Sequence, residues 1–382
     1  MRSVGTMITS TALGESVQAF VPHPLPPANP DLDVRSFASR NQAAEFALAR
    51  LAGVSGLVPS VEWLLYSAIR KEALLTSQIE GTQATLTDLF DEEAGFAISN
   101  TDDVEEVTNY LRAFRKVQDN LRDPAGLPIS VRLLCEAHRL LLDGARGGGK
   151  QPGELRRSQN WIGGTRPGNA VFVPPPAERV ADLLADMERF IHAPQSPTSL
   201  PPLVRIALVH AQFETIHPFL DGNGRIGRLL IAALMEHWEL LREPLVYLSG
   251  YLKQHQAEYY RRLSRIRNAG DWERWVSFFL EGVVVAATDA ERNIVAIASL
   301  IAADRRRLLA EPKSTPASYR LFEMLPMMPR FSIERVRLAL DTSFPTANAA
   351  VKVLQELGIV SELTGQKKNR CYSYQAYIEQ LA

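Results

Sequence analysis

Apolar positions recur along this chain at helical spacing, in blocks separated by short glycine- and proline-rich breaks. From residue 60, Val61, Leu64, Leu65, Ile69, Leu74 and Ile79 follow one another at three- to five-residue steps, which puts them on one side of a helix. Gly81 comes next, a residue suited to ending that helix. The same reading predicts helices over 103–121, with Val107, Tyr110, Leu111 and Phe114 on one face, and over 131–142, stopping at Gly144. Helices resume at 178–190, 202–213 and 225–240, and helical stretches continue to about residue 310.

The breaks carry their own signals. Residues 21–30 (VPHPLPPANP) are too rich in proline for a helix and read as an extended arm. GARGGGKQPG (144–153) reads as a flexible connector. Within 156–176, Gly163-Gly164 and Pro167-Gly168 supply turn residues and 170–173 an extended run, which predicts a small β-hairpin on a helical body. From about residue 315, helical patterns at 318–325, 333–340 and 346–357 precede an alternating stretch around a turn. Three short helices and a hairpin are the outline of a winged helix. The expected fold class is therefore mainly α, with a hairpin flap and a C-terminal winged-helix domain.

Composition narrows the function classes. The 382 residues are 46% apolar and 22% charged, with a formal net charge of −1, so the molecule as a whole is not an electrostatic nucleic-acid binder. The cysteines, Cys135 and Cys371, are too few and too far apart for a disulfide framework or a zinc site. Reduced thiols and a cytoplasmic location are expected. Residues 1–20 lack the continuous apolar core of a signal peptide. The most apolar tracts, 229–235 and 275–287, are too short or are interrupted by Glu281, so no bilayer span and no membrane partner are expected.

The candidate chemistry lies in His217-Pro218-Phe219-Leu220-Asp221-Gly222-Asn223-Gly224-Arg225-Ile226-Gly227-Arg228. This stretch is a loop opening into a helix N-terminus. Gly222 and Gly224 let the backbone approach a ligand closely. The free N–H groups and positive end of the following helix suit an anion, most naturally phosphate. Arg225 and Arg228, three apart, share a helix face and can bond phosphate oxygens. Asp221 is placed to hold a divalent cation such as Mg²⁺, which commonly binds through one carboxylate plus substrate phosphates. His217 has the ordinary pKa of a general base for a hydroxyl. Together these groups outline a phosphoryl- or nucleotidyl-transfer site.

HPFLDGNGRIGR resembles the Fic signature HxFx[D/E]GNGRxxR at every fixed position. PGELRRSQNWIGG with FVPPP resembles the family's flap, and VEEVTNYLRAF its first core helix, so the resemblance covers roughly residues 60–285. It implies a protein adenylyltransferase that uses ATP and Mg²⁺ to move AMP onto a Ser, Thr or Tyr hydroxyl. In that scheme His217 is the base and Asp221 the Mg²⁺ ligand. Gly222, Asn223 and Gly224 form the anion hole, while Arg225 and Arg228 hold the β- and γ-phosphates. Phe219 is a core anchor. Thr76-Ser77-Gln78-Ile79-Glu80-Gly81 resembles the inhibitory motif [S/T]xxxE[G/N], which implies that Glu80 pairs with Arg228 and misaligns ATP.

The organisation that follows is an N-terminal arm with the inhibitory helix (1–100), a catalytic core with following helices (101–310) and a winged-helix-like domain (311–382). Segment 160–174 would dock the target protein, with self-modification, at Tyr372, Tyr374 or Tyr377 for instance, as one outcome. A homodimer is an expectation from the resemblance alone. The tail from residue 315 carries eight Lys/Arg against six Asp/Glu. Lys352 on its third helix, the one placed to read DNA, and Lys367, Lys368 and Arg370 in the wing could contact DNA phosphates, though such modules also serve protein interaction. Removal of AMP, transfer of another nucleotide, and nucleotide sensing by a DNA-binding regulator remain open alternatives.

Overall fold

The computed structural model describes residues 2–144, 149–194, 196, 199–366 and 370–381. It opens with a hairpin, β1 (Gly5–Ala12) and β2 (Glu15–Pro22), paired antiparallel along their full length. Leu13 and Gly14 turn the chain between them with φ of 47° and 81°, the left-handed geometry that a two-residue hairpin turn requires. The helical body then runs α1 (Ala38–Val54), α2 (Val61–Ile79), α3 (Leu86–Ala94), α4 (Thr101–Arg122), α5 (Val131–Leu141) and α6 (Ala177–His192). It continues with α7 (Pro202–Ile216), α8 (Asn223–His237), α9 (Leu248–Gln254), α10 (Gln256–Ala269) and the 39-residue α11 (Trp272–Ala310).

α7 is the centre of this body. Every residue from Leu203 to Ile216 is buried, as expected for a mostly apolar helix surrounded by others, and the polar Arg205, His210, Gln212 and Glu214 are buried with the rest. α8 packs beside it and shows the core Ile226, Leu229, Leu230 and Leu234. α2 lies across α4, α8 and α9. Its start is set by Ser60, whose side chain accepts from the N–H of Glu62, and Glu80 stands at its C-cap.

The last part contains α12 (Pro316–Met324), β3 (Arg330–Ser332), α13 (Ile333–Leu340), α14 (Phe344–Glu356), β4 (Ser361–Glu362), β5 (Cys371–Ser373) and α15 (Gln375–Leu381). The strands form one antiparallel sheet in the order β3-β5-β4. Its core is continuous with that of the body, one apolar cluster running from Val21 to Leu381. Tyr372, Tyr374 and Tyr377 are buried in it, so their hydroxyls are packed and not offered for modification. Lys367 and Lys368 lie outside the described residues; Arg370 is exposed.

Some elements depart from the expectations. The β1–β2 hairpin and helices α1 and α3 lie where no element was predicted. Segment 160–174 closes through a single antiparallel bridge, Ile162 to Phe172, because Gly163-Gly164 and a 3₁₀ turn at Pro167–Asn169 take up the residues that paired strands would need. Its outer edge is bonded to β2, Phe20 N–H donating to Val173 O at 3.0 Å.

Candidate nucleotide-transfer site

The site is the junction of α7 and α8. His217 ends α7 in a left-handed conformation, φ 51° and ψ 63°, a strained position for a residue with a Cβ. Two arginines hold it there. Arg156 Nε donates to His217 O at 2.9 Å, its Nη2 reaches Ile216 O at 3.3 Å and Pro175 O at 2.5 Å, and its own N–H donates to Pro218 O at 2.9 Å. Arg267 Nη2 donates to Glu214 O at 3.1 Å and Nε to Thr215 Oγ1 at 3.2 Å, while its guanidinium lies over Phe172 of the flap, 3.9 Å from the ring centroid. Cations at the end of α7 satisfy its last carbonyls and complement its negative pole. Burial and these same two cations disfavour a charged imidazole, pushing His217 down to about 3. The ring is therefore neutral and able to accept a proton. Its Nδ1 is buried and the backbone of Glu214 beside the ring favours its proton; with that proton on Nδ1, Nε2 is the nitrogen left to accept from a substrate.

The loop after His217 is shaped by its own side chains. Asn223 accepts from Phe219 N–H at 2.8 Å and donates to Phe219 O at 2.9 Å, so its amide clasps the loop through its oxygen and one of its two N–H groups. Phe219 is buried against His138, ring centroids 3.8 Å apart. His138 receives the N–H of Gly153 on Nδ1 at 2.9 Å, and its Nε2 lies 3.0 Å from Asp221 O. An Nδ1 acting as acceptor requires the neutral ring with its proton on Nε2, and burial pushes this histidine down to about 4. Gly222, φ 74°, turns the chain into α8.

The first intrahelical bond of α8 runs from Ile226 N–H to Gly222 O at 3.1 Å. The N–H groups of Asn223, Gly224 and Arg225 thus stand at the helix start, where backbone donors have no intrahelical acceptor. Glu80 lies beside this helix start, against Gly224 and Arg228. A Cβ on Gly224 would collide with Glu80 Oε1 and approach Arg228 Nη1 to 2.9 Å. Arg228 gives Nη2 to Glu80 Oε1 at 2.5 Å and to Thr76 O at 3.1 Å, and Nε to Thr76 Oγ1 at 2.6 Å. Burial works against its charge, but Glu80 beside it outweighs that and raises it above the usual arginine range.

Arg225 is committed differently from Arg228. It is buried and ion-paired to Glu106 of α4, Nη1 to Oε1 at 2.7 Å, with Asp221 Oδ1 3.6 Å from Nη2. Asp221 itself points outward, its side chain 47% exposed. Among the described residues no group of three or more His, Cys, Asp or Glu is arranged to hold a metal ion. A lone outward carboxylate beside free helix N–H groups fits Mg²⁺ only where phosphate oxygens and water complete the shell.

The structure brings together every residue singled out from sequence: His217, Asp221, Gly222, Asn223, Gly224, Arg225, Arg228 and, from α2, Glu80. Thr76, the first residue of the inhibitory motif, joins them on Arg228, and the structure adds His138, Arg156, Arg267 and Glu106, which neither motif contains. It also adds Glu214, one helical turn before His217. Its carboxyl packs against Gly227 with Oε1 buried and unpartnered, and burial raises it to about 7 against the pull of Arg228. Glu106 and Arg156 lay inside the two upstream segments that resemble the family, which was the available signal; His138 and Arg267 had none.

Comparisons with known proteins agree with this geometry. Residues 38–119 match the Fic/DOC family N-terminal model and residues 128–235 the Fic/DOC family model. The protein adenylyltransferase Fic of Drosophila grimshawi is 35% identical over 160 residues, 41% of this chain and 29% of that protein; the Drosophila melanogaster protein of the same name is 34% identical, over 41% and 28%. The chain thus spans under a third of the length of these curated relatives. A Fic family protein from Desulfovibrio desulfuricans superposes with a TM-score of 0.57 at 22% identity, over 92% of this chain and 98% of that one. Fic-1 from C. elegans gives 0.51 at 22%, over 67% and 73%; both likenesses concern the fold. Residues 38–119 and 128–235 are thus similar to the Fic/DOC N-terminal and Fic/DOC family models, and the α7–α8 junction lies inside the second matched stretch.

Proposed function

We propose that this chain is a protein adenylyltransferase, transferring AMP from ATP to a Ser, Thr or Tyr hydroxyl of a protein target, and that Glu80 inhibits it. The observation that carries the reading is the Glu80 carboxylate seated against Gly224 and paired with Arg228 at 2.5 Å. An anion site at a helix start, already filled by one carboxylate of the chain, suits a polyphosphate and a built-in competitor for it.

The reaction makes a bond from the target oxygen to the α-phosphorus of ATP as the bond to the bridging oxygen breaks and pyrophosphate departs. His217 Nε2 takes the hydroxyl proton; burial, Arg267 and Arg156 keep the resting ring neutral, with a free nitrogen lone pair, and make the imidazolium that forms a strong donor that readily gives the proton up. Backbone N–H groups of Asn223 and Gly224 face the charge that develops on the α-phosphate. Arg228, once freed from Glu80, takes the γ-phosphate. Arg225, already paired with Glu106, serves the β-phosphate side with the donors that remain. Asp221 would hold Mg²⁺, which offsets charge on the phosphates. Segment 160–174 and the hairpin bonded to it border the open side of the site, where a target segment would lie.

Residues 316–381, with helices α12, α13 and α14, the β3-β5-β4 sheet and the closing α15, fit a winged helix. We read it as an interaction module, since Lys352 on α14 faces Glu356 at 3.7 Å, a neutralising neighbour at the surface a DNA reader would present. Mass spectrometry of the Glu80→Gly protein incubated with ATP and Mg²⁺ tests the main reading. A mass gain equal to AMP on a hydroxyl side chain, absent in Glu80→Gly with His217→Ala, is expected; no AMP on any protein, self or lysate, overturns it.

A further inference from the structure

The segment that presents Glu80 is gripped from outside the Fic/DOC regions. Tyr377 of α15 is fully buried, and its hydroxyl lies 2.7 Å from Ser67 Oγ and donates to Trp63 O at 3.4 Å, both on α2. On the far side of Glu80, Arg330 of β3 pairs with Asp91 of α3, Nε to Oδ1 at 2.8 Å, with both side chains largely buried. α3 is tied back to α2 by Arg70, which bonds Glu93 at 2.9 Å and 2.5 Å. The C-terminal module therefore holds the chain at Ser67, ahead of Glu80, and again at Asp91, beyond it. Tyr374 anchors the grip in turn, its hydroxyl donating to Asp304 of α11 at 2.8 Å.

Ser67 is about 20 Å up the helix from Glu80 at ~1.5 Å per residue, and a continuous helix moves as a rod. The core also holds α2, through Glu72 bonded to Ser249 and through Thr76 bonded to Arg228. The body also reaches the turn itself, Gln256 Nε2 donating to Ile79 O at 3.1 Å and Gln83 N–H to Asp103 of α4 at 2.6 Å; the module adds a grip on either side of it, at Ser67 and at Asp91. The seam between them is incompletely filled. A cavity of about 30 Å³ lies among Leu64, Ser67, Ala68, Leu245, Ile297 and Leu381, so the last turn of α15 forgoes part of the dispersion contact that would lock it down.

We propose that Tyr377 and Arg330 are positioning residues for Glu80, so that the C-terminal module sets how firmly the Glu80–Arg228 pair stays closed. The inference rests on the inhibitory reading of Glu80, and its test is separable from it. Hydrogen exchange over residues 74–84 is measured in the full-length protein and in Tyr377→Phe with Arg330→Gln, alongside labelled AMP transfer from ATP. Lys352→Ala, on the exposed face of α14, serves as control.

In the paired variant faster exchange at 74–84 is expected, with transfer up roughly fivefold, the low end of ordinary coupling between sites. No further rise is expected once Glu80→Gly is present, because the pair being loosened is then gone. A merely structural role would change transfer equally in both backgrounds. Unchanged exchange in a variant that melts like the parent, or an equal rise in the Glu80→Gly background, overturns the proposal. If Glu80→Gly itself transfers no AMP, the proposed function falls, while the exchange data still decide whether the module holds this segment.

Discussion

Glu80 and Arg228 meet at the start of α8 with Oε1 2.5 Å from Nη2, the arginine side chain almost wholly buried and the glutamate about one-third exposed. The asymmetry matters. Arg228 stays in place with or without its partner, held by Thr76, whereas Glu80 sits at a helix C-cap with an open side and can leave. A buried guanidinium left without an anion is costly, so carboxylate and phosphate compete for one seat. Glu80→Gly is expected to raise AMP transfer about a hundredfold, the scale of a reacting centre brought back by ~1 Å. Initial rates with labelled ATP check it, and an unchanged rate removes Glu80 from the inhibitory role.

Gly224 offers a second test of the same seat. A Cβ there would strike Glu80 Oε1 and crowd Arg228, so Gly224→Ala should expel the glutamate. The same methyl group also fills the place of a phosphate oxygen. The expected outcome is no gain in activity despite the lost ion pair, with ATP affinity down at least tenfold by calorimetry, and no recovery when Glu80→Gly is added. A Gly224→Ala protein as active as Glu80→Gly would show that phosphate does not approach this residue.

Much of this was legible in the sequence because a contiguous loop fixes its own geometry. Gly222 and Gly224 marked where backbone had to be bare, and the helical periods around them placed the α7–α8 turn and the C-cap of α2 within a few residues. The partners brought in from afar were not legible. His138 lies on a separate helix, far upstream of His217, and carries no local mark of its bond to Asp221 O. Arg267 reads as one more charge on α10. The β1–β2 hairpin escaped because GTMITSTA alternates weakly and little of it is buried. The clasp of the Asn223 amide on Phe219 also escaped, because it depends on a loop curvature only the folded chain has.

Arg156 should matter for catalysis without touching substrate. It is buried and spends four donors on carbonyls around His217, and burial lowers it to about 10. Arg156→Met keeps much of the volume and removes those bonds, leaving carbonyls unsatisfied at about 1–3 kcal/mol each where water does not reach them. Measured in the Glu80→Gly background, kcat is expected to fall at least tenfold with KM for ATP little changed, since the nucleotide seat lies on α8. A drop in ATP affinity with kcat preserved would place Arg156 in binding.

The buried titratable groups make opposite predictions for acid and for neutral pH. His138 is held neutral, with a folded pKa of about 4 against an ordinary value of 6.5. Between those values the unfolded chain binds the proton and the folded chain does not, so stability falls as pH drops from about 6.5 toward 4. Glu214 runs the other way: its folded pKa of about 7 exceeds the ordinary 4.5. Its contribution is whole below about 4.5 and is lost as pH rises through 7. Glu214→Gln keeps the shape and cannot ionise, so the variant should gain on the parent in melting temperature between pH 5 and 8 and match it at pH 4. His138→Gln can keep one bond of the ring and should lose the acid-side decline that His138 causes. Thermal melts of the three proteins from pH 4 to 8 separate the two effects. A Glu214→Gln curve parallel to the parent's throughout would mean that this carboxyl is ionised in the fold, with Arg228 shared between two glutamates from the outset.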